Sequence, residues 1–167
     1  METDIAWAAG ILDGEGCLYI NRHRANPKNK TKTESFRLYL KITMGHRPTI
    51  AKLYDIFRVG SVLLHQPKSS KVSASHSWVV PTRQAEMVLD QMKPFVFTKL
   101  EELAIAEEFF ALEKVLGGSG GSPVKTREAV RQRVRLYWRL RMAKSRWRFY
   151  KRGLSAKEQQ EIRSLGL

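Results

Sequence analysis

The chain of 167 residues lacks several features that would each indicate a particular class of protein. Cys17 is its single cysteine, so no internal disulfide can form and we expect an intracellular, reducing environment. No apolar run approaches the roughly 20 residues of a membrane-spanning helix. The N-terminus carries Glu2 and Asp4 rather than the basic residues that begin a secretory signal peptide. The four histidines match no zinc-ligand spacing, so we expect no structural metal site.

Acidic residues are scarce relative to basic ones. Lys and Arg together number 30 against 16 Asp and Glu, which gives a formal net charge of +14. An excess of this size in a chain of ordinary hydrophobicity predicts a polyanionic partner. Nucleic acid is the partner we expect, and an anionic membrane surface is the alternative. The length is sufficient for one domain with a proper hydrophobic core.

Residues 8–16, with the sequence AAGILDGEG, form the most informative stretch of the chain. The stretch begins as the second half of a predicted helix. One face of that helix carries only small or short side chains, at Ala6, Gly10 and Asp13. Such a face lets a second backbone approach closely.

The end of this predicted helix places an acid between two glycines, as Gly14-Glu15-Gly16. The glycines are predicted to end the helix and to free the backbone around the acid. From Cys17 onward the apolar residues follow the alternation typical of a strand. The helix therefore delivers the carboxylate of Glu15 to the point where a strand begins.

Two strands are predicted next, over residues 17–24 and 36–43, joined by a polar, basic turn. Their apolar residues define a core face consisting of Leu18, Ile20, Phe36, Leu38, Leu40 and Ile42. The opposite, outer face carries Tyr19, Asn21, His23, Arg37, Tyr39, Lys41 and Thr43. In a chain of this charge, such long polar and basic side chains favour a ligand-facing sheet over a merely solvated one.

The arrangement of a strand pair followed by a helix then repeats. Pro48 begins a helix that we expect to end at Gly60, and strands are predicted over 61–66 and 75–80. Helices are predicted over 82–92 and 98–116 from their apolar spacing. The sequence therefore predicts an α+β fold of order αββαββα, in which a four-stranded antiparallel sheet carries its helices on one face.

The last third of the chain has a different composition. Residues 117–123 are rich in glycine and serine and predict a flexible linker between a core at 1–116 and a C-terminal extension at 124–167. Residues 125–152 hold twelve Lys or Arg and a single acid, and their apolar spacing predicts an amphipathic helix packed on the core. Its basic face is either solvated or in contact with phosphates.

The stretch at 8–16 resembles the motif of the LAGLIDADG homing endonucleases, although an alanine replaces the first leucine. The matching residues are Ala9 and Gly10 for the alanine and glycine, Asp13 for the first acid, Gly14 for the small residue, Glu15 for the metal-binding acid and Gly16 for the closing glycine. The predicted elements up to about residue 116 also follow the order of that family's fold.

The resemblance implies a sequence-specific endonuclease that hydrolyses phosphodiesters in double-stranded DNA with Mg²⁺, or with Mn²⁺ or Ca²⁺ in its place. Glu15 and the backbone carbonyl of Gly14 would hold the metal. Lys99, which follows a proline-aromatic turn, would be the basic catalytic residue. Met44 stands where the family often has a polar residue that orients water, so the sequence departs from the pattern there.

A single motif per chain implies a homodimer that makes a staggered cut in a long, near-palindromic site. The interface implied by the motif consists of Ala6, Ala9, Gly10 and Asp13, with Asp13 also making structural hydrogen bonds at the helix end. The DNA contacts expected are Tyr19, Asn21, His23, Arg37, Tyr39, Lys41, Thr43, His65, Lys68, Lys71, Ser77, Arg139 and Arg146.

Two alternatives remain open from the sequence. The first is a non-cleaving nucleic-acid-binding protein of the same fold, either an RNA maturase or a regulator, with RNA as a partner. The second, which rests on charge alone, is a basic ribosome-associated or RNA-binding protein. For an endonuclease we expect an intracellular location, in a bacterial or phage-infected cytoplasm or in an organelle whose own genome encodes it.

Overall fold

The computed structural model describes residues 2–23, 34–67, 73–116, 126–147 and 154–167, except for the side chains of 145–147. In chain order the elements are α1 (Glu2–Glu15), β1 (Gly16–His23), β2 (Ser35–Met44), α2 (Arg47–Phe57), β3 (Ser61–His65), β4 (Ser75–Pro81), α3 (Thr82–Met92), α4 (Leu100–Val115), α5 (Arg127–Trp147) and α6 (Ala156–Ser164). Within these residues, no helix is both long and apolar enough to cross a bilayer. The linker predicted at 117–123, and Lys68 and Lys71, lie outside the described residues.

The four strands form one antiparallel sheet in the order β1-β2-β4-β3. Helices α1, α2 and α3 each contact β2, the strand to which both β1 and β4 pair. The predicted α+β fold of order αββαββα is therefore confirmed, with α4, α5 and α6 added after it.

The core lies between the sheet and the helices. The four apolar residues Phe36, Leu38, Leu40 and Ile42 are all buried, as the alternation of β2 predicts. From β4, Trp78 is fully buried and its ring stacks on Phe57 of α2 at 5.5 Å between centroids. Its indole N–H donates to the carbonyl of Val59 at 2.8 Å, so the buried polar atom is satisfied.

Helix α2 ends earlier than the sequence predicts. It stops at Phe57 because Arg58 takes a left-handed conformation, with φ of 53°, and donates its N–H to Tyr54 O. The sequence predicts Gly60 as the end of this helix, but Gly60 lies beyond it and has a different role. A Cβ there would lie 2.6 Å from the carbonyl oxygen of Val79, so Gly60 lets the chain pass close to β4.

The C-terminal helices pack on the core. Helix α5 lies against α4 and β1, and its apolar residues join the same hydrophobic cluster as the sheet. Arg22 of β1 ties the layers together, because its guanidinium contacts Glu34 at 3.1 Å and Glu161 of α6 at 2.8 Å. Trp138 of α5 also donates its indole N–H to Glu161 at 3.0 Å.

Candidate functional site

Glu15 is the last residue of α1, and β1 begins at Gly16 without a loop. Gly16 is buried, and a Cβ at this position would meet Leu12 Cδ1 and lie 2.5 Å from Leu12 O. Gly14 lies inside the helix, and neither glycine has a positive φ. The sequence predicts that both glycines end the helix, but Gly14 is helical and only Gly16 follows the last helical residue. Gly16 allows the strand to start directly beneath the last helical turn.

The carboxylate of Glu15 is exposed at the C-terminal end of α1. This end carries the negative pole of the helix dipole and backbone carbonyls without helical partners, so it favours a cation and disfavours an unpaired acid. Within the described part of the chain, Glu15 makes no hydrogen bond or ion pair. The same residues contain no group of three or more His, Cys, Asp or Glu that could hold a metal by itself.

A hard divalent cation fits this arrangement. Mg²⁺ is usually bound through one or two carboxylates and completes its shell with waters and substrate phosphates. Glu15 offers one such carboxylate, and the neighbouring carbonyl of Gly14 is a second oxygen at the same helix end. The chemistry of these donors therefore suits Mg²⁺ only when phosphate supplies further ligands.

Asp13 joins the end of α1 to the segment that precedes α4. One of its carboxylate oxygens accepts the backbone N–H of Phe97 at 2.7 Å. The other accepts the backbone N–H of Thr98 at 3.1 Å and the Thr98 hydroxyl at 2.9 Å. These bonds agree with the structural role predicted for Asp13, and they fix the backbone immediately before Lys99.

The hydrogen bonds also change the acidity of Asp13. Burial acts to raise the pKa of this carboxyl, but the bonds from Phe97 and Thr98, with a smaller one from the Lys99 backbone, outweigh it. The pKa of Asp13 is therefore lower than its ordinary value of 3.8. Because the folded pKa is lowered, the stabilisation from Asp13 is complete above this value and is lost as the pH falls through the folded pKa.

We expect Asp13→Asn to lower the free energy of unfolding by about 1–3 kcal/mol at neutral pH, because an amide replaces one acceptor oxygen with a donor. The difference from the wild type should shrink as the pH falls below 3.8 and through the lower pKa of the folded state, where the folded wild-type carboxyl also becomes neutral. Chemical denaturation at several pH values measures both effects. Asp90→Asn, at an exposed position of α3, is the control and should change little. Equal stability of wild type and Asp13→Asn at neutral pH would contradict this assignment.

Lys99 precedes the first residue of α4, and its side chain is only 17% exposed. Its Nζ lies 3.9 Å from a carboxylate oxygen of Glu102, one turn further along the helix. Lys99 is therefore not a freely solvated surface lysine. Since Asp13 holds the preceding residues, the last turn of α1 positions both Glu15 and the backbone that carries Lys99.

The outer face of the sheet can be read from the strand register. Across the sheet, its rows are Asn21 beside Arg37; Tyr19 beside Tyr39 and Pro81; Cys17 beside Lys41, Val79 and Ser61; Thr43 beside Ser77 and Leu63; and Ser75 beside His65. The predicted contact residues of the strands, including His23 and His65, all lie on this face. No Asp or Glu occurs in any of these rows.

An aromatic pair occupies the β1–β2 half of the outer face. The rings of Tyr19 and Tyr39 stack with centroids 5.3 Å apart and planes inclined by 17°. Burial raises the pKa of the Tyr19 phenol. The electrostatic effect of the neighbouring Tyr39 and Cys17 raises it further. Tyr19 therefore keeps its hydroxyl proton at neutral pH and can donate a hydrogen bond.

Lys144 of α5 is a residue of this face that the sequence reasoning missed. Its Nζ lies 3.0 Å from Cys17 Sγ and 6.0 Å from the centre of the Tyr19 ring. The end of α5 thus brings a positive charge to the edge of β1, close to where Glu15 ends α1. The high basic content of α5 is the only sequence signal for this contact, because Lys144 and Cys17 are 127 positions apart in the chain.

The acids of the chain are concentrated in the helical layer, where bases neutralise them. Four acids of α4 each have a basic partner, in the pairs Glu102–Lys99, Glu107–Lys93, Glu108–Arg139 and Glu113–Arg133. The net positive charge is therefore not matched on the outer face, which carries bases and no acid in the described strands. A surface of this kind attracts a polyanion.

The structure contradicts one predicted DNA contact, Ser77, and pairs another, Arg139, with an acid of the same chain. Ser77 lies on the outer face but is fully buried, and its hydroxyl is hydrogen-bonded to Thr43 at 2.7 Å. Arg139 is bound by both carboxylate oxygens of Glu108, at 2.7 Å for Nη2, so its charge is already matched in the helical layer. The side chain of Arg146, and both Lys68 and Lys71, lie outside the described part of the structure.

Met44 projects from the core-facing side of β2 and packs against the core.

One residue of the predicted dimer interface is also wrong. Ala9 is completely buried against the core of its own chain, so it cannot contact a second one. Gly10 and Gly14 are exposed one turn apart on α1, with Ala6 and Asp13 half-buried beside them. Nothing in the described chain lies within 4 Å of a Cβ built at Gly10 or Gly14. The chain's own packing therefore does not explain the small residues on this face.

Several solved structures that share this architecture are homing endonucleases. I-CvuI in complex with DNA aligns over 99% of this chain and 96% of its own, with 16% identity and a TM-score of 0.67. Archaeal I-Vdi141I complexed with DNA covers 98% of this chain and 94% of its own, with 11% identity and a TM-score of 0.70. The LAGLIDADG meganuclease I-CpaMI bound to uncleaved DNA has a TM-score of 0.69 at 12% identity, and this chain covers only 50% of its length.

No protein-family model matches the sequence, and no curated protein matches it either. The likeness is thus one of fold, and it extends over nearly the whole chain. This chain has the LAGLIDADG homing endonuclease fold, in agreement with the motif at residues 8–16.

Proposed function

We propose that this chain is a sequence-specific, Mg²⁺-dependent DNA endonuclease that cuts double-stranded DNA as a homodimer. The observation that carries the proposal is the outer sheet face, which within the described strands carries bases and no acid, with the exposed carboxylate of Glu15 where β1 begins. Several solved structures of similar fold are homing endonucleases in complex with DNA, and I-CvuI structures were obtained with Mg and with Ca. These comparisons support a DNA partner and divalent-cation chemistry for this chain.

Each residue of the site has a defined task in this proposal. When bound, Mg²⁺ supplies an activated water and neutralises charge at phosphorus. Glu15 and the Gly14 carbonyl would hold it at the end of α1. Lys99, held near Glu102, offers a positive charge to the phosphate or to the water network. Asp13 keeps the segment before Lys99 in place, and the outer face holds the duplex in register by its basic groups.

The exposed face of α1 supports homodimerisation. Gly10 and Gly14 leave room for a second helix, and the large apolar side chains of Phe97 and Leu100 are 83% and 55% exposed beside the end of α1. Exposed apolar groups next to a face of small residues are typical of an interface. A two-fold dimer carries two copies of Glu15, one for each DNA strand, and it would read a near-palindromic site.

The proposed activity is tested on a target selected from a randomised duplex pool by binding to the protein. Incubation with Mg²⁺ should yield a double-strand cut within the selected site, and the same reaction in EDTA should leave the DNA intact. Binding without cutting under all divalent cations would instead identify a regulator of the same fold. Preferential binding of structured RNA over the selected duplex would identify a maturase.

Sequence reading by the outer face predicts a specific effect of Arg37. This exposed residue sits opposite Asn21, where a guanidinium can contact a guanine edge. Arg37→Ala should relax base preference at a few positions, at a cost of about 1–3 kcal/mol there. Lys144→Ala is the comparison variant for a general charge contact. It should weaken binding to all sequences equally and reduce the salt dependence of that binding. Both effects are measured by gel shift on single-base variants at several salt concentrations. Uniform weakening by Arg37→Ala would contradict a reading role for β2.

A further inference from the structure

The outer face of the sheet has two chemically different halves. The β1–β2 half carries hydrogen-bonding and basic groups, including Asn21, Arg37 and Lys41. On the β4–β3 half, Leu63 is 44% exposed and has Val79 as its diagonal neighbour across the strand pair. The hydroxyl of Ser77, directly opposite Leu63, is buried and bonded to Thr43. The centre of this half therefore presents an apolar surface.

The position of Leu63 makes this surface part of the reading face. Residues 62–64 are all exposed because β3 is the edge strand of the sheet. Val62 lies opposite the core residue Trp78 and Leu64 opposite His76, so these two side chains point to the helical side. Leu63 alone of the three points to the side of Arg37 and Lys41. An exposed leucine there adjoins a basic surface that has no acid in the described strands and is complementary to DNA.

A leucine cannot hydrogen-bond to the base edges that it would cover, and it would leave their polar groups unpaired. The apolar group that a base pair presents in the major groove is the C5-methyl of thymine. We propose that Leu63, supported by Val79, selects a pyrimidine C5-methyl group under the β4–β3 half of the sheet. This inference rests on the proposed DNA binding by the outer face, and it names the chemical group that this half recognises.

The test uses the duplex selected by the wild-type protein and measures affinity by gel shift in EDTA, so that no cutting intervenes. Each thymine is replaced in turn by deoxyuridine, which lacks only the methyl group. At the positions read by Leu63 the wild-type affinity should fall about three- to fivefold, the effect of one buried methyl. Leu63→Ala should bind the thymine and deoxyuridine duplexes equally at those positions.

Leu64→Ala is the matched control, because it removes the same side chain from the same exposed strand on the opposite face. It should keep the wild-type response to deoxyuridine. A second arm replaces the selected thymine by cytosine and by 5-methylcytosine. If the methyl is what is read, 5-methylcytosine should bind nearly as tightly as thymine and cytosine more weakly.

Different outcomes overturn different claims. A wild-type protein that binds no duplex preferentially overturns the proposed function together with this inference. Clear base preferences with no response to deoxyuridine, or a response that Leu63→Ala and Leu64→Ala alter equally, overturn only the role of Leu63. If thymine is preferred but 5-methylcytosine binds as weakly as cytosine, the O4 or N4 group is read, and the methyl assignment is wrong.

Discussion

Glu15→Gln should abolish DNA cleavage while the protein still folds and binds its target. The amide keeps the shape of the side chain but has no charge with which to hold Mg²⁺ at the end of α1. We expect the cleavage rate to fall by about 100-fold or more, which corresponds to about 2.7 kcal/mol of activation free energy. Affinity for the target should stay the same or rise, because a negative charge beside each scissile phosphate is removed.

The structure explains why folding should survive this change. Glu15 is exposed and has no partner among the described residues, so its loss breaks no contact there. Removal of the acid from the C-terminal end of α1 should even be slightly stabilising, since it no longer opposes the helix dipole. Thermal unfolding of both proteins, with cleavage and gel shift on one target, measures the three properties together.

Glu15→Asp is the matched control, because it keeps the carboxylate and shortens the side chain by one methylene. It should retain metal-dependent cutting, whereas Glu15→Gln should not. Equal cutting by Glu15→Gln and wild type would refute the proposed mechanism. Loss of folding in Glu15→Gln would show a structural role, and the resemblance would then extend to the fold but not to the chemistry.

Gly10→Leu should convert the proposed dimer to a monomer and weaken DNA binding strongly. A leucine side chain would fill the open space beside Gly10 that the second helix of this dimer would occupy. Each monomer would then hold only half of the site, and the loss of the linked second contact should reduce affinity by about 10²- to 10⁴-fold. Double-strand cutting should fall with it, because two copies of Glu15 would no longer be placed on one duplex.

The monomer itself should tolerate this substitution. Nothing described in the chain lies within 4 Å of a Cβ at Gly10, so the leucine does not clash within its own chain, and it removes a flexible glycine from a helix. Ala111→Leu adds an exposed leucine on α4 instead and should leave a dimer. Sedimentation of all three proteins with and without duplex DNA gives the result. A wild-type protein that is monomeric on DNA would refute dimerisation through α1.

The sequence by itself determined the direction of side chains along each element. In β2 the alternation of Phe36, Leu38, Leu40 and Ile42 placed all four in the core and set Arg37 and Lys41 on the opposite face. A strand has a fixed period of two, so a local pattern is enough to assign its faces. The motif at 8–16 likewise located Glu15 at the junction of helix and strand, because that junction is formed by consecutive residues.

Only the tertiary structure decided which of these side chains remain available. Ser77 has the predicted direction, but Thr43 and the surrounding sheet bury it. Arg139 has a basic neighbourhood in the sequence, but the packing of α5 on α4 places Glu108 against it. Leu63 is exposed because β3 is an edge strand, and Lys144 reaches Cys17 because α5 folds back on β1. Burial and charge pairing depend on which distant elements become neighbours, and no local period in the sequence specifies that.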